Sequence, residues 1–238
     1  MGHPHDPITH RHHYSVWVAH HSVNEVDCWS DQPGAGKEVH RNILALEDGP
    51  QSAAAKLAID WVAPESKALL AEERTYRVRD LPDSERLIDI HLQLSAREGP
   101  VVFGATPFGL AAVRVAKTMG VADGGGQILN SEGALGEQAI FWKPATWCDY
   151  AGPVAPGLWN GIAFFSHPSN GGHPPEWHVR SDGWMGACLS REKAVVVDPS
   201  EALVLRYALY IHHGTPNEAD VAGAFARFAA SEFAPCLR

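Results

Sequence analysis

Apolar residues recur at every second position along several stretches of this chain, and that period rules out a mainly helical fold. In residues 56–61, Leu57, Ile59 and Trp61 share one face while Lys56, Ala58 and Asp60 share the other. Ile88, Ile90, Leu92 and Leu94 alternate with Asp89, His91 and Gln93. Leu203, Leu205, Tyr207, Leu209 and Ile211 alternate with a second face, Val204, Arg206, Ala208, Tyr210 and His212, apolar enough to be covered too. Successive side chains of a strand point to opposite faces, so this spacing predicts half-buried strands. Turn-forming clusters at residues 32–36, 49–50, 81–84, 98–100, 123–126 and 169–172 separate the runs. Strands joined by turns rather than helices predict an antiparallel sheet architecture.

One helix stands out. Asn217-Glu218-Ala219-Asp220 leads into residues 221–229, where Val221, Phe225 and Phe228 form an apolar stripe able to dock on a sheet. Residues 65–78 fit either state, and their neighbours favour strand. No linker, repeat or charge run divides the chain. The expectation is therefore one all-β domain over residues 1–238, an antiparallel β-sandwich (jelly-roll or supersandwich-like) with one C-terminal helix.

The chain has 19 Lys and Arg against 28 Asp and Glu, a formal net charge of −9. Nucleic-acid binding needs a basic face, so it is not expected here. No stretch approaches the roughly 20 apolar residues of a membrane helix. Cys28, Cys148, Cys188 and Cys236 lie far apart with no C-x-x-C pair, which argues against a zinc ribbon and a disulfide scaffold. A soluble cytoplasmic protein with reduced thiols is the expectation.

Histidine is the compositional anomaly: 8 of the 14 fall in the first 40 residues. On a strand, His10 and His12 would share a face, and His20 would join them if the register runs unbroken. Neutral imidazoles converging on one face suit a divalent transition metal, and imidazole is also the acid/base that titrates nearest neutral pH. Asp27 and Glu25 lie close enough in sequence to complete such a site. A second cluster, Phe165-Ser166-His167-Pro168-Ser169-Asn170-Gly171-Gly172-His173-Pro174-Pro175-Glu176-Trp177-His178-Val179-Arg180, reads as a strand end and a constrained loop. There Arg180 suits a carboxylate clamp and Trp177 a sugar platform. Glu132, beside the turn at Asn130-Ser131-Glu132-Gly133, is a candidate acid/base.

Three stretches carry a family resemblance. The first is His10-x-His12-His13-x-x-x-Trp17, then His20, then Val23-Asn24-x-x-Asp27-x-Trp29. The second is Asn130-Ser131-Glu132-Gly133-x-x-Gly136-Glu137 followed by Trp147-x-Asp149-Tyr150-x-Gly152. The third is Gly161-Ile162-Ala163 through His167-Pro168-Ser169-Asn170 and His173-Pro174 to Trp177-His178-Val179-Arg180. In these the chain resembles the PmoA-like family of bacterial proteins. The resemblance implies an antiparallel β-sandwich, with family members carrying a further strand region ahead of the His-rich motif. The methane-oxygenase activity in that label does not suit a chain without a membrane segment.

These readings predict an enzyme acting on a carbohydrate or sugar-like small molecule by His/carboxylate chemistry: hydrolysis, elimination or isomerisation, with a divalent transition metal as an optional helper. His12, His20, Glu132 and His178 are the candidate catalytic groups. Asn24, Asp27, Asn170, Trp177 and Arg180 are candidates for holding substrate. His10, His12, His20 and His167 are the candidate metal ligands. The alternatives are a non-catalytic sugar- or metal-binding module and an accessory subunit, and a homodimer would cover an exposed sheet edge.

Overall fold

A computed structural model describes residues 10, 12–64 and 67–234. Its strands, in chain order, are β1 (Val16–Val23), β2 (Val26–Cys28), β3 (Lys37–Asp48), β4 (Ser52–Val62), β5 (Ala68–Asp80), β6 (Arg86–Ala96), β7 (Val101–Phe103), β8 (Gly109–Arg114), β9 (Gln127–Asn130), β10 (Trp147–Ala155), β11 (Leu158–Ser166), β12 (Trp177–Val179), β13 (Trp184–Cys188), β14 (Val195–Val197) and β15 (Leu203–His213). They form two antiparallel sheets. The smaller runs β12-β13-β8-β1-β7-β14, with β2 paired to β1 off that path; the larger runs β3-β4-β5-β6-β15-β11-β10-β9. The fold is thus an antiparallel β-sandwich. The ambiguous stretch near residue 70 is strand β5; residues 65 and 66 and Cys236 lie outside the described residues.

The alternation seen in the sequence builds the core. Trp61, Ile90, Leu92 and Leu94 of the large sheet pack in one cluster with Phe103, Leu110, Trp177 and Met185 of the small one, each at most 1% exposed. Burying such side chains contributes about 1.5–3 kcal/mol each. The large sheet is covered on its other face too. There α1 (Val221–Ala229) lays Val221, Ala224 and Phe228 on Phe165, Ala208 and Tyr210. Asp220 caps this helix, accepting a hydrogen bond from the Gly223 amide at 3.1 Å. Two-sided cover explains the apolar second face of β15.

The large sheet overhangs the small one. Leu46, Ala55, Tyr76 and Ile90 are paired across β3, β4, β5 and β6 and so share the core-side face. Along that row cover is lost: Ile90 is 1% exposed and Leu46 68%. At the outer edge, β3 breaks register between His40 and Asn42 and again between Ile43 and Ala45.

The His-rich start departs from expectation. His10, His12 and His13 precede β1, because Ser15 takes a left-handed φ of 55° and ends the extended run. The strand argument that aligned His10, His12 and His20 on one face therefore does not hold.

Candidate functional site

β2 has three residues and pairs β1 only from His20 onward, so residues 16–19 of β1 open onto a cleft of about 590 Å³. Trp17, Trp29, His12 and Asp31 form its rim, and Glu38 and Arg74 of the overhanging sheet form its floor. Local chemistry shapes this wall. Asn24 and Glu25 take left-handed φ values of 49° and 66°, the signature of a tight two-residue hairpin, and Asn24 Oδ1 accepts from the Val102 amide at 2.8 Å. Asp27 Oδ1 then accepts from the amides of Trp29 at 2.7 Å and Ser30 at 3.0 Å, which aims Trp29 at the cleft. Gly36 turns the chain back past this point; a Cβ there would sit 2.5 Å from Cys28 Sγ and 2.9 Å from the Val62 carbonyl.

The floor is charged and mostly dry. Arg74 Nη2 donates to Glu38 Oε2 at 2.7 Å and to Glu72 Oε2 at 2.8 Å, Nε donates to Glu72 Oε1 at 2.5 Å, and Nη1 reaches the Tyr76 hydroxyl at 3.3 Å. Trp61 Nε1 adds a bond to Glu72 Oε2 at 2.7 Å. The Glu72 side chain is fully buried and committed to these partners, whereas Glu38 keeps 22% of its side chain exposed. Burial pushes the Glu38 carboxyl up to about 7; Arg74 pulls against this and Glu72 adds to it. A carboxyl poised near neutrality in a cleft can both take and give a proton.

Above the floor runs a row of rings. His12 Nδ1 lies 3.4 Å from Asp31 Oδ1. The His12 and His13 ring centroids are 4.0 Å apart, and His13 stacks on Trp17 at 4.6 Å and leans on Trp29 at 4.3 Å. Trp184 follows, 5.9 Å from Trp29, and His178 lies 3.9 Å from Trp184. The N-terminal histidines and the end of the second cluster, more than 160 residues apart in sequence, thus share one face of the small sheet. Burial lowers His13 to about 3 and His178 to about 4, so both are neutral. The Pro107 carbonyl, 3.3 Å from His178 Nδ1, can only accept, which leaves Nε2 with the lone pair. His12 Nδ1 and Nε2, Trp17 Nε1, Trp184 Nε1 and His178 Nε2 are shielded from solvent without a hydrogen-bond partner.

The other sequence candidates lie elsewhere. His20 points to the opposite face of β1, edge-on to Phe103; its Nδ1 accepts from the Ser22 amide at 3.1 Å, so Nε2 donates to Ser190 Oγ at 2.8 Å. Trp177 is fully buried in the core, its Nε1 donating to the Ala145 carbonyl at 2.8 Å, because its parity on β12 is opposite to that of His178. Asn170 bridges the loop to β15, with Oδ1 accepting from the Arg206 amide at 2.7 Å. His167 packs edge-on against Phe228 of α1. Arg180 pairs with Glu137 at 3.3 Å and lies over the Phe141 ring. Glu132 accepts from its neighbour Ser131 at an exposed turn. His10, 6.2 Å from His12 ring to ring, stays near the rim, but His20 and His167 do not join it. Among the described residues, no three His, Cys, Asp or Glu side chains are grouped to hold a metal ion.

Sequence reasoning missed Glu38, Glu72 and Arg74. The signal was present: Leu70, Glu72, Arg74 and Tyr76 share a parity, so reading β5 as a strand puts two charges in phase with a core leucine. It also missed a pair behind the large sheet, where His212 Nε2 donates to Asp149 Oδ2 at 2.7 Å with both side chains at 0% exposure. Burial pushes the Asp149 carboxyl up against the pull of His212. Burial disfavours the His212 imidazolium, but the hydrogen bond and charge of Asp149 outweigh it and raise its pKa.

Comparison with known proteins assigns a family but no activity. The model of a family of unknown function, DUF6807, matches residues 1–226. This replaces the PmoA-like resemblance, since no PmoA-like family is indicated. No curated protein matches the chain. Among solved structures, YeaD of Salmonella typhimurium, provisionally assigned as a mutarotase, is 8% identical with a TM-score of 0.38; the match covers 73% of this chain and 65% of that one.

Proposed function

Because the chain belongs to DUF6807, a family of unknown function, we propose its activity from the cleft alone: acid–base catalysis on a carbohydrate or sugar-like small molecule, with Glu38 carrying the proton. The observation that carries this reading is a part-exposed carboxyl raised to about 7 while held by Arg74. Such a group is matched to proton transfer near neutral pH. Trp17 and Trp29, each 8% exposed and packed on His13, contribute a small apolar border to the cleft, and His12 with Asp31 supplies a second polar pair at the rim. Glu72 is locked by Arg74 and Trp61, so its part is to position Arg74. One mobile proton at Glu38 favours isomerisation or elimination beside a carbonyl; hydrolysis would additionally draw on Asp31.

The test is a panel of free sugars, uronic acids and glycosides, followed by polarimetry, ultraviolet absorbance of unsaturated products and release of reducing ends. Turnover by the parent protein should fall about 10²–10⁴-fold in Glu38→Gln. Full activity in that variant would remove Glu38 from the chemistry. A second reading, a sugar-binding module, draws on the part-exposed carboxyls of Glu38 and Asp31 in the cleft, which can accept hydrogen bonds from sugar hydroxyls. Saturable binding without turnover in the same panel would select it.

A further inference from the structure

The overhang of the large sheet continues the cleft in one direction. Glu72, Arg74, Tyr76 and Val78 alternate along β5 on the core-side face, so a single strand runs from the charged floor out onto the overhang. Beyond Arg74 the neighbours change character. Leu46, Ala53, Ala55, Tyr76 and Val78 line a cleft of about 390 Å³, inside the size range of small-molecule pockets. Leu46 is 68% exposed and Val78 36%. The hydroxyl in this lining, that of Tyr76, is turned back to Arg74 Nη1 at 3.3 Å. The guanidinium that holds Glu38 thus also ties down the near end of an apolar shelf.

Resting on the carbohydrate reading of the cleft, we propose that this shelf seats an apolar substituent of the substrate, so that the ligand is a glycoside-like molecule with an apolar group rather than a free sugar. Continuity through Arg74 and Tyr76 favours a single ligand spanning both parts. A second copy of the chain fits less well: a stable interface buries about 800 Å² per partner, and the two register breaks of β3 blunt edge-to-edge pairing. The far end carries the carboxylate of Asp48, with Glu47 beside it paired to Arg77, which selects a neutral group over an anionic one.

The experiment is calorimetric titration of the full chain, at pH 5.5 where 4-nitrophenol is neutral, with methyl glucoside, 4-nitrophenyl glucoside and 4-nitrophenol. It uses the parent, Leu46→Asp and Val78→Asp, with melting curves to verify folding at these two exposed positions. The aryl glucoside should bind about tenfold more tightly than the methyl glucoside, the gain expected from covering about 60 Å² of apolar surface. Either variant should abolish that gain and leave methyl glucoside affinity unchanged. Equal affinity of the two glucosides for the parent, or a gain that survives both substitutions, overturns the shelf while leaving the charged cleft as a sugar site. If neither glucoside binds, 4-nitrophenol decides. Binding to the parent that Val78→Asp removes upholds the shelf and refutes the sugar reading; no binding overturns the shelf as well.

Discussion

Replacing Glu38 by Gln separates two properties that depend on one proton. The folded chain holds that proton up to about pH 7, whereas an ordinary Glu releases it near 4.5. The folded state therefore binds more protons in between, so the stability Glu38 contributes is fully present below pH 4.5 and is lost as pH rises through 7. In Glu38→Gln this loss is absent. Its melting temperature relative to the parent should climb between pH 5 and pH 8, by the equivalent of roughly 1–3 kcal/mol. Any pH–rate inflection near 7 should vanish in the same variant. Parallel melting-temperature profiles for the two proteins would show that Glu38 titrates normally. Arg74→Met asks a different question of the same cluster. It leaves Glu72 buried without its counter-charge, which typically costs about 3–5 kcal/mol, as denaturant midpoints would record.

At the scale of elements, the pair joining β10 and β15 should behave as a structural clamp. His212→Ala leaves Asp149 fully enclosed without its partner, driving it to the neutral form, and should destabilise the protein by about 1–3 kcal/mol in urea unfolding. Gly161→Ala should do comparable damage by a steric route, since a Cβ there would lie 2.2 Å from the His212 ring. A midpoint unchanged in both variants would mean that the sheet relaxes around the pair. The elements themselves were largely legible: alternation marked β4, β6 and β15, and the stripe of Val221, Phe225 and Phe228 marked α1. The site was only half legible. Trp17 and His178 face the same side because β1 and β12 sit in one sheet, and His12 reaches that side through His13 stacked on Trp17, but parity counting cannot tell which face of a strand meets the core. Hence Trp177, a platform by its sequence setting, is core, and His20, in phase with His12, turns inward. Glu72 and Arg74 escaped notice because charged residues normally signal a solvated face, and here they mark the mouth of a gap between sheets.

For the whole molecule, acid should be a denaturant. Burial holds His13 at about 3 and His20 and His178 at about 4, against 6.5 for a free imidazole. Each is enclosed neutral and must charge on unfolding in acid, so its contribution is present above pH 6.5 and is lost as pH falls through the folded value. At about 1.4 kcal/mol per pH unit for each group, the sum reaches several kcal/mol between pH 6.5 and 4. Glu38 and Asp149, both raised by burial, work in the opposite sense over part of this range, while His10, His91, His167 and His173, lowered by burial, add to the first sense. Denaturant midpoints at pH 7, 6 and 5 should fall progressively, and His20→Gln should flatten the slope. A flat profile in the parent would contradict neutral burial of these rings.

The overhang has a consequence for how relatives of this chain can diverge. Leu46 is 68% exposed and Val78 36%, and neither belongs to the buried core, so substitutions there carry a smaller stability penalty than in the core. The Arg74 cluster a few residues along the same strand has no such freedom. The ledge can therefore vary while the charged cluster stays fixed, and the boundary between tolerant and intolerant positions falls along a single strand, between Arg74 and Val78.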